Sequence, residues 1–363
     1  MIENSPLSPP SPTINALACP TPLPHEARIV MGHGSGGKMS HDLIRQVFLP
    51  PFDNPALNAG NDAALVIPDS RTRLAVSTDS HVVRPLFFPG GDIGRLAVCG
   101  TVNDLAMLGA TPRYLTAGFI LEEGLAMELL ARVVDSMRSA AAEAGVQIVA
   151  GDTKVVERGK ADGLYVNTAG VGTLREGVDI GGANARPGDA VLISGTVGDH
   201  GIAVLAARGD LGFETGLQSD VAPLNGMVDA LLDAGIQIRV LRDPTRGGVA
   251  TTLNEIARQS GVGITIYENR IPMQLAVQAA CEMLGFDPLY IANEGKLLAI
   301  VAQEDAESAL EIMQANCYGA NAAIIGAVHP PTRLRSGRVL MKTVIGSTRI
   351  VDVLAGEMLP RIC

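Results

Sequence analysis

The chain has 363 residues, 47% of them hydrophobic, more than a single core of ordinary size takes up, so two domains are expected. A formal charge of −10, from 38 acidic against 28 basic residues, and an aromatic content of 3% exclude a nucleic-acid surface, which needs cations and stacking rings. No apolar run approaches the ~18 residues of a membrane span, and the first residues lack the basic and apolar regions of a secretory signal, so no membrane association and a cytoplasmic location are expected.

In chain order, residues 1–27 are crowded with Pro6, Pro9, Pro10, Pro12, Pro20, Pro22 and Pro24, and Arg28 is the first Lys or Arg; the block reads as a disordered extension. Residues 28–178 alternate β-rich and helical patterns. Strands are predicted at Leu74–Asp79, Tyr114–Leu121, Val146–Val156 and Tyr165–Leu174, and a helix at Met127–Ala144. Asp92 stands ahead of the apolar-periodic stretch 93–108 as a candidate N-cap. Gly177–Gly188, with Gly181, Gly182 and Pro187, breaks the pattern and places a domain boundary there. Residues 179–350 continue with a strand at Ala190–Ser194, helices near Gly201–Arg208 and Gly248–Gln259, strands near Gly263–Tyr267 and Leu297–Ala302, and a helix at Asp305–Asn316. Residues 351–363 read as a mobile tail. The pattern is mixed α/β, without the short period of a solenoid or propeller.

Gly32-His33-Gly34-Ser35-Gly36-Gly37-Lys38 is the first candidate for chemistry, because clustered glycines let backbone N–H groups approach phosphate oxygens and a lysine adds a point charge. It matches G-x-G-x-x-G and most of G-x-x-x-x-G-K, but Met39 stands where a P-loop needs Ser or Thr for magnesium. An unspecialised glycine turn is the alternative. Acidic residues recur in short Gly or Asn contexts at Asp62, Asp79, Asn103-Asp104 and Asp152, and carboxylates gathered by folding suit magnesium and the phosphates it neutralises. Singly, each is as well explained as a turn former or cap.

Cys19, Cys99, Cys281, Cys317 and Cys363 are odd in number and scattered, with no C-x-x-C pair, so reduced thiols are expected rather than disulfides or a zinc site. Cys363 is the last residue of the sequence. An extended tail from Gly356 reaches roughly 20 Å, enough to move a thiol between two sites, although frayed termini commonly do nothing. Prenylation is excluded, because the lipidated cysteine stands fourth from the end.

Taken together, His33–Lys38, Ser77-Thr78-Asp79-Ser80, Pro85–Gly91, Gly118–Gly124, Gly151–Val156, Asp243-Pro244-Thr245-Arg246-Gly247-Gly248, Asn293-Glu294-Gly295 and the ending Pro360-Arg361-Ile362-Cys363 resemble the HypE family of [NiFe]-hydrogenase maturation factors. The ending separates that family from aminoimidazole ribonucleotide synthetase, selenophosphate synthetase and thiamine-monophosphate kinase, which share the scaffold. The resemblance implies a two-domain α/β (α+β), PurM-like fold with mixed sheets, homodimeric through its N-terminal halves. It implies ATP and Mg2+ as cofactors, the carbamoyltransferase HypF and the iron-carrying HypC–HypD complex as partners, and dehydration of a carbamoyl group on the terminal cysteine to a thiocyanate. On this basis Cys363 is the expected covalent carrier, Glu294 the base and Lys154 an electrostatic aid. Gly34, Ser35, Gly36, Gly37, Lys38, Asp62, Asp79, Asn103, Asp104, Asp152, Asp243 and Arg246 are expected at the nucleotide, with Asp62, Asp79, Asp104 and Asp152 as metal ligands. For Asp243 and Arg246 a turn-and-cap device is the alternative, although Gly247 and Gly248 at a helix start offer N–H donors to an anion. Two other classes stay open: a different ATP-dependent kinase or synthetase on this scaffold, and a non-catalytic thiol presenter.

Overall fold

The computed structural model describes residues 29–69, 72–209, 216–332, 336–354, 359, 362 and 363. The expected disordered extension, with Cys19, lies outside them, as do residues 355–358, 360 and 361 of the expected mobile tail. The chain divides into the units Met1–Val30 and Met31–Cys363. The two sheets on either side of residue 178 therefore belong to one compact body. Among the described residues no helix is long and apolar enough to cross a membrane.

The first half comprises α1 (Lys38–Leu43), α2 (Pro55–Asn58), β1 (Ala64–Asp69), β2 (Thr72–His81), the short hairpin β3 (Phe87–Phe88) and β4 (Gly91–Asp92), α3 (Ile93–Met107), β5 (Ala110–Glu122), α4 (Met127–Ala144), β6 (Gln147–Val156) and β7 (Leu164–Leu174). Five strands form a sheet in the order β1-β2-β7-β5-β6, antiparallel except for the parallel pair β5–β6. Asp92 caps α3 as expected. Its Oδ1 accepts from the N–H groups of Gly94 (2.7 Å) and Arg95 (3.2 Å), while Oδ2 accepts from Ser136 Oγ at 2.6 Å and ties α4 to the same point. Helix α4 has the expected bounds, buries Val133, Met137, Ala140, Ala141 and Ala144 at helical spacing, and stops at Gly145, where φ is +71°. Helix α3 is buried almost all round, since it lies on β2, β5 and β7 and also meets α4, α6 (Asn225–Asp233) and β9 (Ile238–Arg242). One face of the sheet is thus covered by helices, and the other is open.

The second half begins with β8 (Ala190–Ile193) and α5 (Asp199–Ala207), followed by α6 and β9. It continues through α7 (Gly248–Gln259), β10 (Gly263–Tyr267), α8 (Leu275–Leu284), β11 (Leu298–Val301), α9 (Ala306–Ala315), β12 (Ala323–His329), β13 (Arg338–Lys342) and β14 (Thr348–Val351). Its sheet runs β14-β13-β10-β12-β8-β11-β9. The central strands are continuous apolar runs because both faces are covered. Val191, Ile193, Leu298 and Ile300 join a core with Val249, Leu253 and Ile256 of α7, whereas Ala190, Leu192, Ala299 and Val301 join another with Met227, Leu231, Ala309 and Met313 of α6 and α9.

Candidate active site

The glycine loop is held from both sides. Ser35 Oγ donates to Gly32 O at 2.8 Å and accepts from the Gly37 N–H at 3.3 Å, and the Gly36 N–H reaches Ser40 Oγ at 2.9 Å. Arg246 Nη1 donates to Gly34 O at 2.8 Å, and the Lys38 N–H to Leu354 O at 3.1 Å. Gly36 has φ +74°, and a Cβ there would lie 2.9 Å from Arg246 Cβ, so only glycine suits this approach. The N–H groups at 36, 37 and 38 are engaged within the chain, so closing on phosphates requires exchanging those bonds; the Lys38 side chain is exposed.

Behind the loop lies a group of buried carboxylates. Asp104, on α3, accepts from Ser77 Oγ of β2 at 2.5 Å. Burial first, then the charges of Asp243, Asp79 and Asp62, push its carboxyl well above the ordinary range; burial followed by Asp62 does the same to Asp243. Asp62 is pushed up to about 6 by burial, opposed by Arg242, whose Nε lies 2.8 Å from Asp62 Oδ1. Asp62 Oδ2 is buried with no hydrogen-bond partner. Carboxyls that raise one another around an orphaned oxygen suit a cation-bound phosphate, although among the described residues no three His, Cys, Asp or Glu side chains close on a metal ion by themselves. Asp79 sits beside this group, with Oδ2 3.5 Å from His81 Nε2.

Cys363 is brought to the same place. Ile362 forms an antiparallel bridge with Val83 and is buried in the first core, and Cys363 O accepts from the Val82 N–H at 2.9 Å. Burial pushes the Cys363 thiol up to about 12, Arg246 works against the rise, and Glu294 and Asp79 add to it. Glu294 is buried with Oε1 unpartnered, while its N–H is held by Asp220 Oδ1 at 3.0 Å. Burial, reinforced by Asp79, Asp243 and Asp220 and opposed by Arg246, pushes its carboxyl well above the ordinary range. Gly295 is required beside it, because a Cβ would fall 1.7 Å from Asp220 O.

Two expected residues lie elsewhere. Asp79 pairs with Thr168, Thr168 with Ala117, and Ala117 with Gly151, so β6 lies three strand spacings away, roughly 14 Å. Thr168 and Ala117 are buried on the helix-covered face, whereas Asp152 and Lys154 alternate onto the open one. There Lys154 Nζ meets Asp152 Oδ2 at 2.6 Å and holds that carboxyl below its ordinary value. Within one chain neither reaches Cys363. Asn103 is buried, its Nδ2 donating to Ala222 O and Glu294 O and its Oδ1 accepting from the Leu224 N–H, so its amide serves as a clamp behind Glu294.

Sequence reasoning missed Arg242, which also bonds Glu255 Oε2 at 2.6 Å and Gly60 O at 3.0 Å, and it missed His81 and His200. Arg242 carried a signal: it follows Ile238 and Val240 on the buried face of β9 and immediately precedes Asp243.

An α/β half carrying acids, joined by a second half whose loops carry Asp243, Arg246 and Glu294, defines the class: residues 60–174 match the AIR synthase related protein N-terminal domain, and residues 186–337 the AIR synthase related protein C-terminal domain. Within that class, the carbamoyl dehydratase HypE of Cupriavidus necator is 54% identical over 338 residues, covering 93% of this chain and 95% of its own. Similar solved structures include a HypE–HypF complex (TM-score 0.81, 54% identity, 86% of this chain and 99% of that one) and HypE in complex with ATP (TM-score 0.78, 52% identity, 93% and 100%). The chain belongs to the HypE family of carbamoyl dehydratases.

Proposed function

We propose that this chain is an ATP-dependent carbamoyl dehydratase that works on its own Cys363 and supplies the cyanide ligands of a [NiFe]-hydrogenase iron centre. The observation that carries this is the half-buried Cys363 thiol within the electrostatic reach of Glu294 and Arg246, next to the acidic group and the glycine loop. HypF, crystallised with a relative, loads the thiol as an S-carboxamide. The amide oxygen then takes the γ-phosphoryl group of ATP, releasing ADP. Two protons leave the nitrogen, the C–O bond breaks with expulsion of phosphate, and the C≡N bond of the thiocyanate forms. Glu294 accepts a nitrogen proton, since a carboxylate raised by its surroundings is a stronger base than an exposed one. Arg246 faces the charge that develops on oxygen.

Asp62, Asp104 and Asp243, with Asp79 alongside, would hold Mg2+ together with the ATP phosphates, whose charge it would neutralise. The open sheet face carries the exposed apolar side chains Val66, Val76, Tyr114, Ile120 and Val171, and a second copy covers it in a homodimer. Through that second copy, Lys154 and Asp152 approach a site their own chain turns them from. The thiocyanate passes to the HypC–HypD complex in the cytoplasm. Mass spectrometry of the C-terminal peptide tests the assignment: it gains a carbamoyl mass with HypF and loses water on addition of Mg-ATP. Cys363→Ala abolishes both changes and keeps ATP binding; a nitrile formed on another cysteine would refute the carrier role.

A further inference from the structure

His200 is buried in the first turn of α5 and bridges two segments far from it in sequence. Its Nδ1 lies 2.8 Å from Ser219 Oγ, and its Nε2 lies 2.5 Å from the carbonyl oxygen of Ile362, the residue before the carrier cysteine. Accounting for donors fixes the tautomer. A carbonyl only accepts, so Nε2 carries the proton; Ser219 Oγ already accepts from the Val221 N–H at 3.2 Å, which leaves its own hydroxyl proton for Nδ1. Burial pushes the His200 pKa down, in keeping with a neutral ring, and Phe88 packs against the ring edge-on, 5.5 Å between centroids. Ser219 is itself anchored by its N–H to Pro89 O at 2.8 Å. Among the described residues, the charge that acts on the ring is Asp220, whose carboxylate is engaged by Lys296 and the Glu294 N–H.

Among the described residues, the end of the tail is also held by the bridge to Val83, the Val82 N–H on Cys363 O, and the apolar side chains of Leu359 and Ile362, the former against Gly201 beside His200. We propose that His200, oriented by Ser219, is the positioning residue that latches the C-terminal tail in the dehydration site, so that opening its hydrogen bond to the Ile362 carbonyl favours release of Cys363 for loading. The proposal rests on Cys363 being the carrier. Its sense is that loading needs the thiol outside and dehydration needs it inside, so the latch must be strong enough to seat the arm and weak enough to open, as a single neutral hydrogen bond is.

The test compares the full-length protein with His200→Ala, His200→Gln and Ser219→Ala. Without nucleotide, iodoacetamide alkylation of each cysteine is followed by peptide mass spectrometry, with the buried Cys99 and Cys281 as internal references. A seated thiol reacts only through its open state, so losing the latch is expected to speed Cys363 alkylation about 5- to 30-fold. Cys99 and Cys281 stay unchanged, and Gln, which keeps an N–H donor, gives an intermediate value. Single-turnover dehydration of HypF-loaded protein falls by a comparable factor, with ATP affinity within about twofold. Unchanged Cys363 alkylation in folded His200→Ala overturns the latch, as does a parallel rise at all three cysteines, which would mean a packing role only. Should His200→Ala not fold, Ser219→Ala, which removes the hydroxyl on Nδ1 together with the acceptor of the Val221 N–H and leaves the His200 ring in place, decides by the same criteria. If alkylation responds while loaded wild-type protein never loses water, the latch stands and the dehydratase assignment fails.

Discussion

The two faces of the first sheet carry similar residues in different states. On the helix-covered face, Asp79 of β2 and Asp104 of α3 sit among Asp62, Asp243 and Glu294, and the carboxyls of Asp104, Asp243 and Glu294 are driven far above their ordinary values. On the open face, Asp152 is exposed, paired with Lys154 and held low. Both sets come from short acidic motifs, whether these fall in a strand, a helix or a loop. Desolvation separates them: only where α3 and the second half exclude water do neighbouring carboxyls act on each other strongly enough to store basicity. The sharpest way to break the contrast is Glu294→Gln. It keeps the shape and removes the base, so dehydration of loaded Cys363 is expected to fall on the order of 10²- to 10⁴-fold, with ATP binding retained. A fall of under tenfold, read on the C-terminal peptide, would place the base elsewhere.

The open face gives the next effect. Lys154→Ala is expected to lose most dehydration activity without moving the melting temperature, because an exposed pair contributes little to folding. If the lysine acts across a dimer, mixing Lys154→Ala with Glu294→Gln chains regenerates one intact site per mixed dimer, about a quarter of wild-type activity at equal mixing. No recovery in exchanging dimers would mean that Lys154 serves its own chain, against the roughly 14 Å and the opposite faces seen within one protomer.

How much of this was legible in the sequence follows from the range of each signal. Met127–Ala144 and Gly248–Gln259 were readable because a local period and a stop sufficed, and Asp92 because its cap is made to residues two and three positions on. The acidic motifs named Asp62, Asp79, Asp104 and Asp152 as a group, but strand pairing decides which face each one joins, and β6 pairs with β5 across a shift in register between Leu115 and Thr116. His200 gave no signal, since its meaning lies in a carbonyl 162 positions away. Asn103 beside Asp104 looked like a ligand and is a clamp because consecutive helical positions point to different neighbours.

A smaller effect comes from the raised carboxyls themselves. The folded state binds protons to Asp62, Asp104, Asp243 and Glu294 more tightly than the unfolded chain does, so their contribution to stability is complete below the ordinary carboxyl range. It is lost as pH rises through their raised folded values, about 6 for Asp62. The nucleotide-free protein is therefore expected to melt on the order of 5 °C lower at pH 8 than at pH 5, and Mg-ATP to restore more at pH 8. Equal stabilisation by Mg-ATP at both pH values would show that the cation does not sit among these acids.

The smallest change probes how closely the covered face is fitted. Gly100, inside α3, is where a Cβ would stand 3.0 Å from His81 Cε1 and 3.3 Å from Asp79 Oδ2. Alanine gains up to about 1 kcal/mol of helix propensity there, set against the contact. His81 is buried and cannot retreat, whereas Asp79 is partly exposed and can turn toward solvent. Gly100→Ala is thus expected to lower stability by about 1–2 kcal/mol, because His81 cannot yield to the contact, and to slow dehydration severalfold by swinging Asp79 away from Cys363 and Glu294. Unchanged turnover at that lowered stability would mean that the backbone, not Asp79, absorbs the added methyl group.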